Sequence, residues 1–280
     1  MVDIKIAIIL GTRPEIIKMS PIIRELNLNG TEYFILHTGQ HYSYNMDKIF
    51  FEKFEIPTPK YNIDIGSGTH GEQTGKMLID IEKILLNEKP DIVLVEGDTN
   101  SVLAGALAAS KIGIKVGHVE AGLRSYDRTM PEEINRILTD HCSDYLFSPT
   151  EESKQILLRE GIEEEKIFVT GNTIVDAVYQ NLKNFDKKTD SIIADREYFL
   201  VTIHRQENVD NIYRFNNILQ GLKKIRDHFQ IPIIYPVHPR SREIIKKLNV
   251  NLDWIELIDP VDYLNFLYLE SNAKLIFTDS

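Results

Sequence analysis

The 280-residue chain is long enough for two domains of about 100–170 residues each. Its 32 basic against 42 acidic residues leave a net charge of −10, which excludes a broad nucleic-acid footprint while allowing a local cationic pocket. A single cysteine, Cys142, excludes an internal disulfide, and the longest apolar runs, such as Ile4–Leu10 and Ile231–Tyr235, fall far short of the roughly 20 residues of a membrane helix. With Asp3 and Lys5 interrupting the apolar start, we expect neither a signal peptide nor a membrane partner, and a cytoplasmic protein.

Apolar, β-branched runs alternate with segments of helical period along the chain. Strands are predicted at Lys5–Leu10, Tyr33–Thr38, Ile92–Glu96, Lys115–Val119, Tyr145–Ser148 and Lys166–Val169. Helices are predicted near Pro14–Leu28, Gly71–Asn87, Val102–Lys111, Pro131–Asp140 and Glu151–Arg159. After a polar stretch, Lys183–Arg196, the alternation restarts. Strands are expected at Tyr198–Ile203, Ile231–Val237, Trp254–Leu257 and Lys274–Thr278, with helices at Ile212–Asp227, Ser241–Leu248 and Val261–Glu270. Runs apolar on both faces belong to parallel sheets covered by helices, so the fold class is α/β in two successive units, 1–170 and 171–280, meeting near Gly171. The second unit is expected to be incomplete, because the sequence stops at Ser280, where the next loop and helix would follow a strand.

In open α/β sheets ligands bind beyond the carboxyl ends of the strands, so the residues there carry the functional information. They are Gly11-Thr12-Arg13-Pro14-Glu15, Gly39-Gln40-His41, Gly97-Asp98-Thr99 and Glu120-Ala121-Gly122 in the first unit. The second unit has His204-Arg205-Gln206-Glu207, His238-Pro239-Arg240 and the terminal Asp279-Ser280. Plain structural roles exist for several of them. Thr12 and Pro14 suit a helix start, Asp98 could cap the helix that follows, and Glu132 or Glu133 would favour a helix N-terminus. Glu132 and Arg136 are spaced for an i,i+4 pair. Glu120, placed directly after an apolar strand and before Ala and Gly, has no such explanation. The Gly-rich dinucleotide fingerprint is missing, which argues against a bound nicotinamide, and no His and carboxylate spacing matches a metal site.

Taken together, Gly11-Thr12-Arg13-Pro14-Glu15 with Lys18, Glu96-Gly97-Asp98-Thr99, Gly117-His118-Val119-Glu120-Ala121-Gly122-Leu123-Arg124, Pro131-Glu132-Glu133 with Asn135-Arg136, Ser148-Pro149-Thr150, Thr170-Gly171-Asn172-Thr173, His204-Arg205 and Tyr235-Pro236-Val237-His238 resemble the non-hydrolysing UDP-N-acetylglucosamine 2-epimerases. The resemblance implies two Rossmann-like domains facing a cleft, of the glycosyltransferase-B type, the second being nucleotide-binding. It also implies a homodimer without a cofactor, acting on UDP-N-acetylglucosamine and UDP. In this family Asp98, Glu120, Glu132 and His204 would be catalytic. Arg13 and Lys18 would stabilise the diphosphate, with His238 near it; Gln40 and His41 would belong to a substrate-binding loop, and Ser280 would open the loop that leads to the ribose. Arg136 would either orient Glu132 or contact the ligand. A UDP-sugar-dependent glycosyltransferase shares the fold and stands as the alternative enzyme. A non-catalytic nucleotide-sugar-binding module is the alternative outside enzymes.

Overall fold

Runs that are apolar on both faces lose their advantage unless both faces are covered, and the chain answers this demand twice. The computed structural model describes residues 4–39, 50–182, 196–237, 239–248 and 252–279, and backbone contacts divide the chain into Met1–Ala177 and Val178–Ser280.

In the first unit seven parallel strands form one sheet in the order β3-β2-β1-β4-β5-β6-β7. They are β1 (Lys5–Leu10), β2 (Glu32–His37), β3 (Tyr61–Asn62), β4 (Ile92–Glu96), β5 (Lys115–Val119), β6 (Tyr145–Ser148) and β7 (Ile167–Val169). The helices are α1 (Arg13–Leu28), α2 (His70–Glu88), α3 (Asn100–Lys111), α4 (Pro131–Cys142), α5 (Glu151–Arg159) and α6 (Thr173–Asn181). Ala7 and Ile9 of β1 join Val93 and Val95 of β4 in a core with Met77, Ile81 and Leu85 of α2 and the small residues Ala104, Ala106 and Ala108 of α3. Ile8 and Leu10, of opposite parity, are equally buried, so both faces of the central strand are covered. Each fully buried Ile or Val of this kind contributes about 1.5–3 kcal/mol.

In the second unit β8 (Phe199–Thr202), β9 (Ile233–Pro236), β10 (Glu256–Ile258) and β11 (Leu275–Thr278) form a second parallel sheet in the order β10-β9-β8-β11. Its helices are the short α7 (Gln206–Val209), α8 (Ile212–Phe229), α9 (Pro239–Leu248) and α10 (Tyr263–Asn272). Phe199 and Val201 pack on Phe215, Leu219 and Leu222 of α8, while Tyr198, Leu200 and Ile234 pack on Leu269 of α10. Two buried phenols tie this core to its backbone: Tyr198 donates to Leu269 O at 2.6 Å and Tyr235 to Ile203 O at 2.8 Å. Burial pushes both phenols up to about 12.

The α/β class and the parallel sheets agree with the sequence reading. Four elements among the described residues escape it, one of them a single 3-10 turn at Glu164–Lys166 that takes Lys166 from the predicted strand. β3 has two residues and exists only because the edge of β2 offers Leu36 and His37 as partners. α7 is a single turn. α6 did carry a signal, an Asn172 side chain that accepts from Ile174 N at 3.1 Å, followed by Ile174, Ala177 and Val178 at helical spacing.

Candidate functional site

The first sheet changes direction between β1 and β4, and at such a switch point the loops after the two strands diverge and leave room for a ligand. Those loops are Gly11–Arg13 and Gly97–Thr99. Gly11 lies so close to the neighbouring segments that a Cβ there would meet Thr38 Oγ1 at 2.0 Å and Ser101 Oγ at 2.3 Å. Pro14 sits in the first turn of α1, and Glu15 folds back over it: Gly11 N and Thr12 N both donate to Glu15 Oε2, the latter at 3.2 Å, and Thr99 Oγ1 donates to Glu15 Oε1 at 2.6 Å. A single buried carboxylate therefore joins the β1 loop to the β4 loop.

Burial raises the Glu15 pKa to about 7, against the hydrogen bonds from Thr99, Gly11 and Thr12. The folded state thus holds this proton more tightly than the unfolded chain. Its contribution to stability is complete below the ordinary glutamate value of 4.5 and is lost as pH rises through about 7. Glu15→Gln keeps an acceptor for the two amides and turns its amide nitrogen to Thr99. Relative to the parent, this variant is expected to gain about 3 kcal/mol between pH 4 and pH 8, read from urea unfolding at the two values. A difference independent of pH would show that Glu15 does not titrate in this range.

Two carboxylates and a lysine meet one strand further along. Glu96 ends β4 opposite Val119 of β5, so Glu120 emerges beside it. Glu120 adopts the left-handed conformation, φ 72°, and both its own N–H and that of Ala121 donate to Phe147 O at 3.1 Å. Lys18 Nζ, from α1, lies 2.7 Å from Glu120 Oε2 and 3.0 Å from Glu96 Oε1. Lys18, expected beside the diphosphate, is here the counter-ion of two glutamates. Burial alone would lower its pKa, but Glu96 and Glu120 raise it further than burial lowers it. Burial drives the Glu96 pKa well up; Lys18 opposes this shift, and Glu120 and Glu15 add to it.

Asp98 is held from α4. Its carboxylate pairs with Arg136 Nη2, and its carbonyl accepts from Asn135 Nδ2 at 2.9 Å. The cap of α3 is Thr99, whose hydroxyl accepts from Val102 N, so the capping role considered for Asp98 belongs to its neighbour. The i,i+4 pair expected between Glu132 and Arg136 does not form. Arg136 bonds instead to Glu133 at 3.1 Å, because Glu133 and Asp98 flank it on the buried side of α4. Glu133 also accepts from Ser125 N and Tyr126 N, both at 2.9 Å. Burial would raise its pKa, but these donors and Arg136 bring it below the ordinary value. Glu132 is half-buried and forms no hydrogen bond or ion pair among the described residues. Arg13, at the start of α1, lies over the Phe50 ring at 5.4 Å.

In the second unit the switch point lies between β8 and β11, and the residues after those strands meet. Asp279 accepts from His204 N and Arg205 N at 3.1 Å and from Asn208 Nδ2 at 2.9 Å, with His204 Nδ1 3.6 Å from its Oδ1. Burial opposes the charge on Asp279, and these donors more than offset it, so its pKa is lowered. The imidazole of His204 is exposed. Gln40, His41, His238 and Ser280 lie outside the described residues.

Sequence reasoning assigned no site role to Glu15, Glu96 or Asp279 and gave Glu133 only a place at a helix start. For Glu15, Glu96 and Asp279 the detectable signal was their position, at or just beyond the ends of strands that flank a switch point; their partners Thr99, Lys18 and His204 are far away in sequence. Among the described residues no group of three or more His, Cys, Asp or Glu side chains is placed to hold a metal ion. A cavity of about 280 Å³ in the first unit, lined by Ile22, Leu94, Val119, Phe147, Thr170 and Asp176 among others, contains none of the predicted site residues.

Residues 24–280 match the family model described as UDP-N-acetylglucosamine 2-epimerase. The chain is 61% identical to the UDP-N-acetylglucosamine 2-epimerase of Methanocaldococcus jannaschii, over 99% of this chain and 78% of that protein. It is 56% identical to the Methanococcus maripaludis protein of the same name, with the same coverage. The crystal structure of the M. jannaschii enzyme in complex with UDP-GlcNAc and UDP superposes with a TM-score of 0.81 at 60% identity, covering 99% of this chain and 79% of that one.

Proposed function

The chain belongs to the UDP-N-acetylglucosamine 2-epimerase family, and from that premise we propose that it interconverts UDP-N-acetylglucosamine and UDP-N-acetylmannosamine. The hydrogen on C2 is not adjacent to a carbonyl, so direct enolisation is closed to this substrate. In the proposed route a base takes the C2 proton, the C–H electron pair forms the C1=C2 double bond, and the C1–O pair leaves with UDP. The product of this half-reaction is 2-acetamidoglucal. Protonation of C2 from the opposite face and return of the UDP oxygen to C1 complete the inversion. Every step is redox neutral, so no nicotinamide or other cofactor is assigned.

The observation that carries this reading is the pair of carboxylates after β4 and β5, each held by its own cation: Asp98 by Arg136 and Glu120 by Lys18. Inversion needs one group to remove a proton and another to return it, and two carboxylates in different environments suit that division. Glu132, without a partner among the described residues, is the third candidate for proton transfer. Arg13 and the N-terminus of α1 are assigned to the diphosphate, which such a helix end favours through oriented N–H groups. Lys18 supports the same charge balance through Glu120. His204, whose backbone Asp279 fixes, is assigned as the catalytic histidine of the second unit. Gln40, His41, His238 and Ser280 are kept as substrate-binding residues on the family resemblance. The chain is assigned as a cytoplasmic homodimer that serves the synthesis of surface polysaccharide or glycan. No helix among the described residues is long and apolar enough to cross a membrane. Light scattering is expected to return twice the chain mass.

Incubation with UDP-N-acetylglucosamine in D2O is expected to yield UDP-N-acetylmannosamine and, by the reverse reaction, recovered UDP-N-acetylglucosamine, each carrying deuterium at C2 of its hexosamine. Transfer of the sugar without C2 labelling would point to a glycosyltransferase, and binding without turnover to a binding module. Release of free N-acetylmannosamine would point to a hydrolysing enzyme.

A further inference from the structure

His118 and Asp140 take no part in the chemistry above, yet they are 1% and 0% exposed, and ionisable side chains are rarely so deep without a partner. His118 lies on β5, two residues before Glu120, and Asp140 lies near the end of α4. Nδ1 of His118 is 2.6 Å from Asp140 Oδ1, and its Nε2 is 2.8 Å from Gly97 O. A carbonyl can only accept. Burial alone would raise the Asp140 pKa, but His118 and Arg124 bring it below the ordinary value, so Asp140 is a carboxylate and also only accepts. Each ring nitrogen of the imidazole thus faces an acceptor.

The second oxygen of Asp140 accepts from Gly122 N at 3.3 Å and pairs with Arg124 Nη2 at 2.7 Å. Arg124, its side chain also buried, continues to Glu160 with Nε at 2.9 Å, and His141 lies 4.0 Å from the same glutamate. Arg124 thus stands between two carboxylates, Asp140 and Glu160, the pairing that buried charges require. The two backbone atoms that His118 and Asp140 grip are adjacent to the proposed chemistry. Gly97 O directly precedes Asp98, and Gly122 N follows Glu120 by two residues. Gly122 has φ 83°, and a Cβ there would meet Ser153 O at 2.5 Å, so this loop has little freedom except what the grip allows.

We propose that the His118–Asp140 pair is a positioning device, which fastens the loops bearing Asp98 and Glu120 to α4 and so sets the separation of the two proton-transfer carboxylates. Arg136 and Asn135, on the same helix, hold the side chain and carbonyl of Asp98, and His118, backed by Asp140 of that helix, holds the preceding carbonyl, Gly97 O. The effect on turnover rests on the epimerase reading; the effect on the loops does not.

His118→Phe keeps the ring volume and removes both hydrogen bonds, whereas His118→Gln keeps a donor within reach of Gly97 O. In His118→Phe, amide exchange at Gly97 and Gly122, whose N–H groups donate to Val119 O and Asp140 Oδ2, is expected to accelerate about tenfold or more, and kcat to fall by about 10–100-fold with KM little changed, since small misplacements of reacting groups carry that cost. His118→Gln is expected to recover most of both. Unchanged exchange in a folded His118→Phe variant would overturn the proposal, and so would faster exchange with wild-type kcat. Should His118→Phe not fold, Asp140→Asn, which keeps the shape but loses the charge facing His118 and Arg124, is expected to show the same two changes, and their absence would overturn it equally. A wild-type protein that does not epimerise the sugar would defeat the functional reading, and the exchange measurements would still decide the positioning claim.

Discussion

Glu120→Gln is expected to lower kcat by about 10²–10⁴-fold while KM for UDP-N-acetylglucosamine changes little, the range that loss of a positioned acid or base brings. The amide has the shape of the carboxylate and still offers Lys18 an oxygen, so the change removes proton transfer and leaves the local structure in place. Asp98→Asn and Glu132→Gln are expected to fall in the same range. Their side effects differ. The Asp98→Asn change would weaken the pairing with Arg136, which retains Glu133, whereas Glu132 has no partner among the described residues to lose. Steady-state kinetics on the three variants, with deuterium exchange at C2 measured in parallel, assign the proton-transfer groups. Near-wild-type turnover in any one variant would reduce that residue to a structural part.

The second large effect is expected at Lys18. Lys18→Met keeps the chain length and removes the only cation that the described structure places between Glu96 and Glu120. Two neighbouring carboxylates without it would share protons more readily, so the base would be protonated at neutral pH. The variant is expected to lose about 10²-fold in kcat at pH 7 and to recover part of it at higher pH, with the acid limb of its pH–rate profile moved upward. Lys18→Arg, which keeps the charge with a different shape, is expected to leave that limb in place. A diphosphate-binding lysine would behave differently: the loss would appear in KM and in inhibition by UDP, and the acid limb would not move. The pH profile thus separates the role read from the family resemblance from the role that the ion pairs support.

Much of the fold could be read from the chain alone because its physical cause is local. A central parallel strand must be apolar on both faces, and Ile6–Leu10, Ile92–Val95 and Phe199–Val201 are, so their existence and ends follow from composition and turn residues. The positions of Asp98, Glu120 and His204 just beyond strand ends were legible for the same reason. Partner choice was not. Lys18 reaches Glu120 across 102 residues, Arg136 reaches Asp98 across 38, and Asp279 holds His204 across 75. Helical spacing favoured Glu132 for Arg136, yet the loop after β4 brought Asp98 within reach, and Glu133 faced the same side. Which strands become neighbours decides such pairs, and periodicity carries no record of strand order, since every buried parallel strand has the same pattern. For the same reason two α/β units and the loops that carry their chemistry follow from local pattern, while the charge that each of those loops faces follows from the strand order.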